Sequence, residues 1–234
     1  MINRIIVLAS IMLSAVVPTY ATAAPHTCAA KAEGPMGSDV SVRLVFDAAG
    51  APTKRSAEWT PPSRGTDVER AMGLLTGAPN LSASYDLNGD RLGELHALTV
   101  LVSTFMSPKA APKSIHAEIV ATLDGDRSWR YPFAGFDQAA SDARKRKSGE
   151  KQSINIVEMA LAETKNGGVL HPELLTAFAT ARRMTFLTKG DLAEETFGAN
   201  EYDLADLSAR DALFAQAYAR AAKLAATPEL CGKG

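Results

Sequence analysis

The chain has little of the material that identifies many proteins at a glance. Only two of its 234 residues are cysteine, Cys28 and Cys231. Two cannot build a cysteine-dense scaffold or a four-cysteine zinc site. Aromatic residues are 6% of the whole, and the formal net charge of -1 leaves no electrostatic footprint for nucleic acid. There is no H-E-x-x-H, no G-x-S-x-G, no phosphate loop and no dinucleotide fingerprint, so no cofactor is expected. Beyond the N-terminal segment, no apolar run approaches the roughly 20 residues that cross a bilayer, so no membrane span is expected in the mature chain. What is present is a 46% share of hydrophobic residues, enough for a packed core and against disorder.

Residues 1–23 read as a secretory signal peptide. Arg4 supplies the positive start, 5–17 are apolar apart from Ser10 and Ser14, Pro18 breaks the helix, and Ala21-Thr22-Ala23 offers a cleavage site. Cleavage after Ala23 leaves residues 24–234 as one expected domain, periplasmic or secreted. The composition and the alanine-rich leader point to a bacterial source. In such a compartment disulfides persist. Cys28 and Cys231 are the only possible pair, and no C-x-x-C motif suggests redox catalysis. A bridge between them requires the two chain ends to lie side by side.

Hydrophobic period then sets the fold class. Val40, Val42, Leu44 and Phe46 alternate on one face of a strand, and 53–60 returns after Gly50-Ala51-Pro52. Thr66-Asp67-Val68-Glu69 reads as a capping box for a short helix ending at Gly77. Leu81, Ala83, Tyr85 and Leu87 alternate again, and Asn88-Gly89 predicts a type I′ hairpin with both residues at positive φ. The strand from about Leu92 to Met106 is apolar on both faces at 98–102, which predicts a central position. Strands follow at 114–123 and 127–133, joined by Asp124-Gly125, and a strand or short helix at 154–162. The last third changes character. A helix opens at His171-Pro172-Glu173 and runs to about Arg182, and 184–189 is a strand. Ser208-Ala209-Arg210-Asp211 caps the longest helix, with Phe214, Ala217, Tyr218 and Ala221 inward and Arg210, Arg220 and Lys223 outward. The expected class is α+β: mainly antiparallel sheet, sandwich-like, with helices packed at the C-terminal end.

Few residues suggest chemistry. Asp86-Leu87-Asn88-Gly89-Asp90 matches the opening of a calcium loop, but Arg91 stands where glycine is needed and Ala97 where glutamate is needed. The chemistry-bearing set there is Asp86, Asp90, Glu94 and His96 around one hairpin. His116-Ala117-Glu118 matches the H-x-E of zinc deaminases without their P-C-x-x-C, so no metal is expected. Ser148-Gly149-Glu150-Lys151 satisfies an S-x-x-K string, in a polar stretch where a buried helix is needed. The basic run 144–147 reads as a solvated loop flanked by Asp142 and Glu150. Trp59 and Trp129 are the aromatic residues to watch for an exposed binding patch, with core packing the expected place of both.

Leu174-Leu175 and Ala177-Phe178 on a helix, Arg183-Met184-Thr185-Phe186 as a strand, and Tyr202-Asp203-Leu204 before an alanine-rich helix resemble the closing pattern of the invasion-associated locus B family. Asp206-Leu207-Ser208 replaces that family's Gly-Phe. The resemblance implies an exported bacterial protein of β-rich fold and no catalytic residue. The expected function is a non-catalytic binding or interaction protein with an envelope or extracellular partner. The alternatives are a small periplasmic hydrolase or a small-molecule carrier with a site at the 86–96 hairpin.

Overall fold

The computed structural model describes residues 24–64, 80–106, 116–134, 153–165, 169–190 and 201–233. The leader, the capping box at Thr66, the basic run 144–147 and the Ser148–Lys151 string lie outside the described residues.

The architecture is α+β and dominated by two antiparallel sheets. The larger contains β1 (His26–Glu33), β2 (Asp39–Phe46), β3 (Pro52–Thr60), β4 (Asn80–Asn88), β5 (Arg91–Met106), β8 (Ser153–Glu163) and the two-residue β11 (Gly232–Lys233). Its order is β11-β1-β2-β3-β4-β5-β8. The smaller contains β6 (His116–Leu123), β7 (Arg127–Ala134), β9 (Arg183–Gly190) and β10 (Glu201–Asp203), in the order β10-β9-β6-β7. Two α-helices lie among the described residues, α1 (Pro172–Phe178) and α2 (Leu207–Ala225).

Alternation explains the larger sheet. Val40, Val42 and Leu44, then Ala57 and Trp59, then Leu81, Ala83 and Tyr85, then Leu98 and Val100 are buried. The intervening Ser41, Arg43, Ser56, Glu58, Ser82, Ser84 and Asp86 stay half-buried or exposed on the other face. As expected from its two apolar faces, β5 is interior, between β4 and β8. Pro61-Pro62 ends the β3 ladder because proline lacks the donor a ladder needs. The chain then crosses to the smaller sheet. Arg64 N–H donates to Glu201 O at 2.8 Å, Asp203 N–H donates to Pro62 O at 2.9 Å, and Ser63 bridges Tyr202. Tyr202 ties the sheets again from inside, its buried hydroxyl accepting from Leu81 N–H at 3.3 Å. Burial pushes that phenol up to about 12. One hydrophobic core therefore contains residues of both sheets and both helices.

Helix α2 lies against β1 and β2 with Leu213, Phe214, Ala217 and Ala221 buried. A Cβ at Gly34 would come within 2.8 Å of Leu213 Cδ1 and 2.6 Å of Ser38 Oγ, so a larger residue there would have to displace both side chains. Beyond α2 the chain returns to β1. His26 pairs with Lys233, Thr27 pairs with Gly232, and Cys28 is bonded to Cys231 with Cα atoms 4.7 Å apart. The ends of the described chain meet, as the two cysteines required.

Several expectations need correction. Asn88 is the last residue of β4, and Gly89-Asp90 form the loop with positive φ at Gly89 alone, a II′ rather than a I′ pattern. The second hairpin has positive φ at both Asp124 and Gly125, and Asp124 Oδ1 accepts Arg182 and Arg183 N–H at 3.0 Å each. The helix opened by Pro172 stops at Phe178, not near Arg182. Of the two forms expected for 154–162, the strand is the one present, as Ser153–Glu163. The cap of α2 is Asp206, whose side chain accepts from Ala209 N–H, not Ser208. Strands β5 and β6 belong to different sheets, which puts His96 and His116 on separate ladders.

Candidate functional site

The four hairpin residues do not converge. Asp90 is exposed at the loop and Glu94 is exposed on β5. Asp86 and His96 do face each other, because the pairing of β4 with β5 shifts register around Tyr85 and Leu87. That irregularity re-aims side chains locally, as β-bulges do. The distance from His96 Nε2 to Asp86 Oδ1 is 3.8 Å. A relay needs about 2.6–3.2 Å between heavy atoms. The other Asp86 oxygen contacts the Lys165 ammonium, which arrives from just beyond β8. That carboxylate is therefore already ion-paired, and among the described residues no group of three His, Cys, Asp or Glu could hold a metal.

His96 is the unusual member. Its side chain is only 17% exposed. Among the described residues its buried Nδ1 has no hydrogen-bond partner. Its carbonyl, by contrast, accepts from Thr164 N–H at 2.9 Å. Burial holds the imidazole below its usual value of 6.5, and the Lys54 ammonium adds to this against the opposing pull of Glu163 and Glu94. Neutral His96 is thus the form the fold favours. Stability from this group is complete above 6.5, where both states leave it neutral, and is lost as pH falls and the unfolded chain binds the proton first. We expect the unfolding free energy to decline between pH 6.5 and the carboxylate range near about 4, and His96→Asn to flatten that decline. Urea unfolding at stepped pH measures it; an unchanged slope in the variant contradicts the assignment.

Two further clusters escaped the sequence reading. On the inner face, Arg210 lies 5.6 Å from the Trp59 ring centroid and 5.5 Å from that of Tyr85. Its Nη2 and Nε donate to Asp211 at 2.7 and 2.9 Å, and Nη1 donates to the Tyr85 hydroxyl at 3.4 Å. The helical period had placed Arg210 outward. Two aromatic faces at the sheet draw it in, and Trp59 is core as expected, at 2% exposure. Comparison with family models, with curated proteins and with solved structures finds no match for this chain. The second cluster joins α1 to β7. Glu173 Oε1 accepts from the Trp129 indole N–H at 3.3 Å and sits 3.0 Å from His171 Nδ1. The amide of Glu173, then His171, holds that carboxyl below its usual range. His171 does precede the helix as expected, but at φ 43° and with no side-chain capping bond. Only a spatial signal links these residues, because Trp129 and Glu173 are 44 apart in sequence.

Chemically, none of the three clusters places a nucleophile beside an activated base. Lys165 satisfies Asp86, Asp211 and Tyr85 satisfy Arg210, and Trp129 and His171 satisfy Glu173. Each holds two elements together.

Proposed function

We propose that this chain is an exported bacterial envelope or periplasmic protein that acts by binding a partner rather than by catalysis. The observation that carries the reading is the Cys28–Cys231 bridge between the two ends of the described chain. Such a bond is kept in oxidising compartments and reduced in the cytosol. The polar groups of the 86–96 hairpin support the non-catalytic part, since Asp86 is neutralised by Lys165 and His96 stands beyond hydrogen-bond reach of it. Among the described residues no helix is long and apolar enough to cross a membrane. The resemblance of the C-terminal third to the invasion-associated locus B family belongs with the same reading. A second reading, a small hydrolase at His96, draws on one fact, the unpartnered buried Nδ1.

The test uses the oxidised mature protein as bait in a native envelope extract, beside its Asp86→Asn/His96→Asn variant. The binding reading expects one saturable partner held equally by both proteins. If neither retains a partner, and the wild type alone turns over a panel of esters, phosphates and glycosides, the hydrolase reading replaces it.

A further inference from the structure

We propose that the Cys28–Cys231 bond is a redox latch with one accessible sulfur: external thiols attack Cys231, form a mixed disulfide there, and free a C-terminal strap from β1. The two cysteines differ in their surroundings. Cys28 is wholly enclosed, on β1 opposite Leu44 of β2. Cys231 is half-buried and stands in a segment that buries almost nothing. Ala226, Pro228, Glu229 and Gly232 are exposed, and Leu230 is 66% exposed.

The strap is held by little else. One short turn orders it, with Leu230 N–H on Thr227 O at 2.9 Å and Cys231 N–H on Pro228 O at 3.0 Å. Two ladder pairs, His26 with Lys233 and Thr27 with Gly232, join it to the sheet. Helix α2, just before it, is anchored independently. Its buried Leu213, Phe214, Ala217 and Ala221 face the core, and Arg220 Nη1 donates to Lys31 O on β1 at 2.7 Å. Ala226 and Thr227 N–H donate to Ala222 O and Leu224 O of α2 at 3.2 and 2.8 Å, so opening the bond releases residues 228–233 while the sheets and α2 stay packed.

The exchange balances as follows. A low-molecular-weight thiolate attacks Sγ of Cys231, and a new S–S bond forms as the Cys231–Cys28 bond breaks. The electron pair leaves on Cys28, which takes a proton from water. A second external thiolate then attacks the outer sulfur of the mixed disulfide, releasing the Cys231 thiol and a small-molecule disulfide. The enclosed Cys28 is a poor leaving thiolate, so the step is slow, but access confines attack to the other sulfur. The released strap uncovers the His26–Thr27 end of the β1 edge, a row of backbone groups able to accept another strand.

The native oxidised protein is incubated with reduced glutathione, quenched with acid and mapped by mass spectrometry, with hydrogen exchange and circular dichroism alongside. Access predicts glutathione on Cys231 in excess over Cys28 by on the order of tenfold. Faster exchange should be confined to 228–233 and the first residues of β1, with the circular dichroism spectrum unchanged. Three results overturn the proposal: adduct on Cys28 or equally on both, no reaction before denaturation, or core exchange rising together with adduct.

Discussion

Replacing both cysteines, as Cys28→Ala with Cys231→Ser, should lower the unfolding free energy by about 2–4 kcal/mol and the melting temperature by about 5–15 °C. The bridge closes a loop of 203 residues in sequence separation, most of the chain. Chain entropy alone assigns on the order of 5 kcal/mol to a loop of that length. The expected cost is smaller because the native state also gains freedom when the bond is absent, since the exposed strap detaches without unfolding the core. Alanine at position 28 avoids placing a hydroxyl in an enclosed site. Thermal unfolding of the variant beside the oxidised protein measures the difference. A change below about 1 kcal/mol would mean that the unfolded chain is not constrained as a crosslinked coil.

Leu98→Ala should cost about 3–5 kcal/mol, the upper part of the range for large-to-small core substitutions. Leu98 is fully buried in the middle of β5. Its ladder neighbours on the two sides are Ala83 of β4 and Ala162 of β8. Alanine side chains cannot reach into the space that a lost isobutyl group leaves, and strands paired on both edges cannot close on it. The cavity stays open, which is the condition for the largest cost. Leu187→Ala is the control. That side chain is 51% exposed, and its loss should stay within about 0.5 kcal/mol. Equal losses in the two variants would contradict the packing described.

Much of the fold was legible because strands with one buried face write a period of two into the sequence. The runs at Val40–Phe46 and Leu81–Leu87 carry it plainly, and both are strands. The doubly apolar centre of β5 announced an interior strand for the same reason. Which sheet a strand joins was not legible. Nothing local distinguishes β6 as a neighbour of β5 from β6 as the second strand of another sheet. Strand β10 has three residues and pairs Tyr202 with Met184, so it is too short to show a period. Arg210 was assigned outward because a helical wheel knows the helix alone, and the Trp59 and Tyr85 rings that hold it come from the sheet.

The same division applies to the candidate site. Asp86 and His96 met because one hairpin carries both, and the turn at Gly89 fixes their approximate opposition. Lys165, which determines what Asp86 can do, is 79 residues away and invisible to spacing arguments. The ion pair at the centre of that polar cluster thus depends on a residue that spacing within one hairpin does not supply. The cysteines were legible for a different reason: with only two in the chain, their pairing left no choice.

The central claim is that an exported chain is closed on itself by a bond between its first strand and its last residues. Non-reducing peptide mapping of the protein recovered from its native compartment tests it most directly. The account predicts a first peptide beginning at Ala24, linked through Cys28 to the peptide containing Cys231, with no alkylatable thiol after denaturation. Two alkylatable thiols, or a chain still carrying its first 23 residues, would contradict it.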